Sequence, residues 1–282
     1  MCFKILTKLI LFLFLSGVLV ACGNELVVKS HGQPGQNNSD SSGDKDDEGD
    51  DGNGDNGDDN GNQDPDYFWK GAVFTGDNSI SAFDNARRDL KAAFMEMDSS
   101  IHTDEIAELS MNKNEGVRSM SKANLKKALM DLNLGDKDRC LIHMTSHGSQ
   151  QAFYLVNQGG MTPTEFDAIL DETCGTRPTV LLISACYSGI FSDSAAMRQD
   201  NRIILTAARK DRTSFGCSAE AEYTYWDGCL LDNLKKSTSW ENLYDNINSC
   251  ITKKEGSGFT PSLPQKFIGN SVKDLPYLGK GF

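Results

Sequence analysis

Two short segments carry the side chains with which this chain could do chemistry. Thr145-Ser-His147-Gly-Ser149 holds a histidine followed by glycine, and Ser184-Ala-Cys186-Tyr-Ser-Gly189 holds a cysteine. The thiolate is the nucleophilic form of cysteine, so a catalytic cysteine needs a neighbour that takes its proton. Histidine suits that task near neutral pH. Gly148 has no side chain to shield its N–H, which with the N–H of Cys186 could form an oxyanion hole. Each residue alone has a plainer reading. Cysteine is often a buried packing residue, and a loop histidine often makes one local hydrogen bond. Taken together, each directly after an apolar strand, His147 and Cys186 read as a dyad.

The elements that must position them follow from the hydrophobic pattern. Gly71–Thr75, Ile106–Leu109, Cys140–Thr145, Ala152–Val156, Thr179–Ile183 and Ile203–Thr206 read as strands. The runs at 179–183 and 203–206 are almost continuously apolar, as buried parallel strands are. Phe83, Ala86, Leu90, Phe94 and Met97 recur at helical spacing behind a cap at Ser81. A second helix spans Ser121–Leu132. Thr162-Pro163-Thr164-Glu165 combines an N-cap, a first-turn proline and a capping-box glutamate, opening a helix to Leu170. Trp226–Leu234 and Trp240–Ile251 are two further helices. Alternating strands and helices predict an α/β domain over 67–282, with a mostly parallel sheet covered on both faces. Ligand sites in such sheets lie beyond the carboxyl ends of the strands, where both reactive segments fall.

The ordered motifs resemble those of the legumain-type cysteine peptidases (family C13), which belong to the caspase-like group. His147-Gly-Ser and Ala185-Cys186-Tyr-Ser-Gly189 match the motifs around the family's dyad. The stretch Thr206 to Cys217 is similar to the segment after the next strand, and Ser262 to Gly269 resembles the family's C-terminal end. The resemblance runs from about Val73 to Gly269. It implies a caspase-like α/β/α sandwich, a His147–Cys186 dyad aided by Gly148, and no cofactor or metal. Its substrate would be a peptide or protein, and its thioester acyl-enzyme could also be taken by an amine in transpeptidation. The specificity pocket departs from the family. Ser184 stands where legumain has an acid, and Phe83-Asp84 fall where it has an Arg-His pair. Asp227 matches the pocket-floor aspartate and Ser214 a rim serine. Losing a basic residue while keeping acids suggests a basic substrate side chain, with Asn or Asp preference as the alternative. Asp84 and Asp227 also read simply as surface or helix-cap acids.

The first residues read as an address. Lys4 and Lys8 precede an apolar run from Leu9 to Ala21. That run is too short to span a bilayer of ~30 Å as a helix but has the length of a signal-peptide core. It ends Leu19-Val-Ala-Cys22, which resembles the lipobox of bacterial lipoproteins. The expectation is cleavage after residue 21, lipidation of Cys22, and anchoring in the bacterial cell envelope. Gly23, in place of an aspartate, fits the outer-membrane pattern of Gram-negative cells. Residues 22–66 then form a spacer too polar to fold. The Asp44-x-Asp46-x-Glu48-Gly49 string mimics the start of a calcium loop but lacks flanking amphipathic helices.

The chain carries a formal net charge of −12, and the tract from Asp40 to Asp66, with eleven Asp, one Glu and one Lys, accounts for −11 of it. The remainder is nearly neutral, without the basic excess of a nucleic-acid binder. Cys140, His143 and His147 mimic a zinc spacing, but on a strand Cys140 and His143 point to opposite faces. His143 reads as a packed sheet residue. After Cys2 leaves with the leader and Cys22 takes lipid, six cysteines remain. With Cys186 free, these allow at most two disulfides and one spare thiol. A surface lipoprotein using the fold only for binding is the competing class, and an intact His147 and Cys186 disfavour it.

Overall fold

The computed structural model describes residues 68–279. The leader, Cys22 and the acidic spacer lie outside them. Among the described residues seven strands form one sheet in the order β3-β2-β1-β4-β5-β6-β7. They span Trp69–Thr75 (β1), Ile106–Ser110 (β2), Arg118–Ser119 (β3), Arg139–Thr145 (β4), Thr179–Ser184 (β5), Arg202–Thr206 (β6) and Gln265–Ile268 (β7). All neighbours are parallel except β6 and β7. β4 and β5 are buried throughout, which is why their sequences are apolar without alternation.

Helices cover the two faces: Ser81–Met97 (α1), Lys122–Asp131 (α2), Pro163–Thr173 (α3), Gly189–Asp193 (α4), Tyr225–Leu234 (α5) and Trp240–Glu255 (α6). One core joins Val73, Leu141 and Leu182 of the sheet to Leu90, Trp226 and Leu243 of α1, α5 and α6. The other joins Phe74, Ile142 and Ile183 to Leu125, Phe166 and Phe191 of α2, α3 and α4. A disulfide fixes each face. Cys140–Cys174 ties β4 to the end of α3, and Cys229–Cys250 ties α5 to α6. Cys186 and Cys217 are the cysteines outside a disulfide among the described residues. The count allowed by the sequence is met, with the pairing now assigned.

Local signals hold at two of the caps. Thr162 and Glu165 form both halves of the capping box, and Ser121 caps α2. Three expectations change. Ala152–Val156 is not a strand; Phe153 makes only single bridges to Gly148 and Met161. Both sides of β4 are already taken by β1 and β5, so this apolar stretch has no free edge and instead buries Phe153 and Leu155. The N-cap of α1 is Ile80, not Ser81, and no side chain caps it. The antiparallel β7 has no counterpart among the expected strands.

The chain leaves β1 towards β2 and β3, then returns to continue on the other side with β4. The sheet therefore has its switch point between β1 and β4, and in open α/β sheets ligands bind beyond the strand carboxyl ends at such a point.

Candidate active site

β4 and β5 pair in register up to Thr145 and Ser184, and Ser146 N–H extends the pairing to Ser184 O (3.1 Å). His147 and Cys186 each follow two residues beyond that last pair. The two segments touch through their backbones. A Cβ placed on Gly148 would lie 2.2 Å from Cys186 O and 3.1 Å from the Ala185 methyl. Only glycine permits that approach, so the glycine after the histidine is a packing requirement of the site as well as an open N–H. No backbone acceptor takes the Gly148 N–H among the described residues.

His147 is half-buried, with its surroundings supplied by the β1–α1 connection. Its Nε2 lies 3.4 Å from Ser79 Oγ. Phe83, fully buried in the first turn of α1, meets the imidazole edge-on with ring centroids 5.2 Å apart. The His147 carbonyl accepts from Tyr154 N–H at 2.9 Å. These contacts fix the ring beyond the carboxyl end of β4. Nothing local to His147 in the sequence announces Ser79 or Tyr154, because they arrive from other loops.

Cys186 is buried, and the segment after β6 lies against its sulfur. Ser214 N–H points at Sγ from 3.3 Å, while Ser214 O lies 3.6 Å away and its Oγ 4.0 Å away. Ser214 thus offers a donor that suits a thiolate and an acceptor that suits a thiol. Next to Cys186, Tyr187 adopts φ 57°, a left-handed conformation costly for a bulky residue. Its N–H is held by Arg212 O at 2.8 Å. Gly189 then passes so close to the 208–210 backbone that a Cβ would lie 2.5 Å from Lys210 N. A strained turn locked on both sides fixes the direction in which Cys186 leaves the strand.

The expected specificity residues divide. Ser214 stands at the sulfur. Asp227 and Ser184 meet, but inside the protein. The Asp227 carboxylate is fully buried and accepts from Thr145 Oγ1 (2.7 Å), Ser184 Oγ (2.9 Å) and Thr224 Oγ1 (2.9 Å) on one oxygen. Its other oxygen faces His143 Nε2 at 2.9 Å. Sequence reasoning takes Asp227 as a pocket floor awaiting a substrate cation; in the structure its charge is met by internal donors, and no surface of it reaches solvent. Asp84 is likewise engaged, since its carboxylate accepts from buried Arg87 Nε at 3.0 Å, and Arg87 also pairs with the half-buried Glu108 and Glu115. His143 is the packed sheet residue expected, and its pairing with Asp227 is the contact sequence reasoning missed. The zinc spacing dissolves, because the Cys140 sulfur is bonded to Cys174.

Tyr223 donates to Asp89 and so links the segment before α5 to α1. Burial, and next that hydrogen bond, push its phenol above the ordinary tyrosine range, so it remains a donor at physiological pH.

The model of the Peptidase C13 family matches residues 104–271, which include both reactive segments. No curated protein matches the sequence. Among solved structures, the fold is similar to that of caspase-1 from Spodoptera frugiperda. The TM-score is 0.52 at 11% identity, over 73% of this chain and 88% of that one.

Proposed function

The chain belongs to the peptidase C13 family, and from that premise, with its caspase-like fold, we propose that it is a cysteine endopeptidase in which Cys186 and His147 do the chemistry. The family makes the chain a cysteine peptidase acting on peptides or proteins; the placement of Gly148 against Cys186 supports the individual residue roles. Cys186 Sγ attacks the scissile carbonyl carbon while His147 takes the thiol proton. The oxyanion is held by the N–H groups of Gly148 and Cys186. Collapse of the tetrahedral species breaks the C–N bond, and His147 returns the proton to the leaving amine. Water, deprotonated by His147, then hydrolyses the thioester and regenerates the thiol. The observation that carries this reading is the forced approach of Gly148 to the Cys186 carbonyl, which sets the residue after the histidine against the nucleophile.

A preference for basic residues loses its motivation once Asp227 is saturated from within. Export to the cell envelope on a lipidated Cys22 remains part of the proposal. Two disulfides in the folded domain support an oxidising compartment. Among the described residues no helix is long and apolar enough to cross a membrane.

The test is an activity-based probe for cysteine nucleophiles together with a fluorogenic peptide library. Wild type should label and turn over substrate, and Cys186→Ala should do neither. His147→Ala should lower turnover by ~10²–10⁴-fold, the usual contribution of a general base. Undiminished turnover by Cys186→Ala would sink the proposal.

A further inference from the structure

The sheet face that leads to the dyad also carries a buried polar network. Leu141, His143 and Thr145 of β4, with Leu182 and Ser184 of β5, alternate onto the face covered by α1, α5 and α6. One further step of that alternation reaches His147 and Cys186, and Phe83 of α1 meets the imidazole from this side. Asp227, in the first turn of α5, reaches His143, Thr145 and Ser184 on the same face. Its carboxylate is thus placed one residue pair beneath the dyad, a rise of about 6–7 Å along the strands.

At that level the backbone ceases to hold the two strands together. The ladder ends at Thr145 and Ser184, and its last bond runs from Ser146 N–H to Ser184 O at 3.1 Å. Past it, no backbone hydrogen bond joins 147–149 to 185–187 among the described residues. A shared acceptor ties the strand ends instead. Thr145 Oγ1 and Ser184 Oγ both donate to one oxygen of Asp227, at 2.7 and 2.9 Å. Thr224, the cap of α5, donates to the same oxygen at 2.9 Å and accepts from Asp227 N–H at 3.0 Å. His143 Nε2 faces the other oxygen and so fixes the rotation of the carboxylate. All five residues are buried. Hydrogen bonds to a charged acceptor are short and directional, and a dry site strengthens them. A side chain that merely filled the space would need no hydroxyl at 145 or 184.

We propose that Thr145, Ser184 and Asp227 are positioning residues of the dyad, whose shared carboxylate sets the separation of His147 and Cys186. This deepens the peptidase reading and rests on it. Two residues expected from sequence to line a specificity pocket, Ser184 and Asp227, thereby take a different task. They act on the chemical step through the strand ends and touch no substrate.

The experiment pairs variants of the full chain that keep a hydroxyl with variants that delete it: Thr145→Ser against Thr145→Val, and Ser184→Thr against Ser184→Ala. Two quantities are read well below each variant's melting temperature, where a loss of stability alone moves neither. One is kcat and KM on a fluorogenic peptide. The other is the pH midpoint for alkylation of Cys186 by iodoacetamide, followed by mass spectrometry of the peptide that contains it. His147→Ala marks the midpoint of the thiol without its partner, and pairing with His147 should hold the wild-type midpoint below it. Thr145→Val and Ser184→Ala should each lower kcat by ~10–10²-fold, the cost of misplacing a reacting group by about 1 Å, with KM little changed. Both should also move the midpoint towards that of His147→Ala, while Thr145→Ser and Ser184→Thr keep most of the wild-type behaviour. A midpoint shift confined to the hydroxyl-deleting variants supports positioning even where no peptide is cut, so failure of the peptidase reading is seen separately. Hydroxyl-deleting variants that match wild type in kcat and midpoint overturn the proposal. Equal losses in Thr145→Ser and Thr145→Val, or a wild-type midpoint equal to that of His147→Ala, overturn it as well.

Discussion

Replacing Asp227 by asparagine tests whether its carboxylate joins the strands beneath the site or waits for substrate. One oxygen of Asp227 receives three hydroxyls, so in Asp227→Asn the introduced amide oxygen would stay there and the introduced NH2 would face His143 Nε2. In the wild-type arrangement Nε2 must carry the proton to donate to the carboxylate. Facing an NH2, the imidazole must move that proton to Nδ1, which is buried with no partner. A stranded buried donor costs about 1–3 kcal/mol, and three charge-assisted hydrogen bonds become neutral ones. Relief of the buried charge offsets part of this. The net loss is roughly 2–4 kcal/mol, or about 5–15 °C in melting temperature for a domain of this size. Differential scanning calorimetry measures it, and a double-mutant cycle with His143→Leu should be non-additive by ~1–3 kcal/mol. Because Thr145 and Ser184 stand two residues before His147 and Cys186, kcat should fall with little change in the ratio of Arg to Asn peptides. A melting temperature within about a degree of wild type, or an additive cycle, refutes the clamp. Selective loss of Arg-peptide cleavage in Asp227→Asn would restore the pocket-floor reading.

Cys140–Cys174 closes a loop with a sequence separation of 34, so removing it as a paired Ser substitution should cost ~3–4 kcal/mol by chain entropy, read as a shift in urea midpoint; no shift would contradict the bond. Glu165 is held below the ordinary glutamate range first by Lys122 and then by the Thr162 N–H. Its folded pKa lies below the unfolded one, so its contribution is complete above the ordinary range and disappears as pH falls through the depressed value. Glu165→Gln keeps a capping side chain but removes the charge, so wild type should be the more stable at neutral pH by under about 1 kcal/mol. That advantage should vanish once pH falls below the depressed value; an advantage undiminished in acid would refute the assignment.

Much of the positioning of the site is written locally. The apolar runs of β4 and β5, the Thr162 box, and a histidine-glycine and a cysteine each just beyond a buried strand all lie within a few residues of what they specify. Chain separation explains what was not legible. His143 and Asp227 are 84 residues apart, and Ser79 and His147 are 68 apart. Which of five cysteines pair and whether Asp227 faces substrate or the sheet both depend on strand order. The switch from β1 outward to β3 and back to β4 brings the β1–α1 connection over His147, and the β6–α5 connection carries Ser214 to the sulfur. Hydrophobic periodicity determines which face of a strand or helix is buried. It carries no information about which distant element covers that face, so the partners of buried charges are decided only when the layers close.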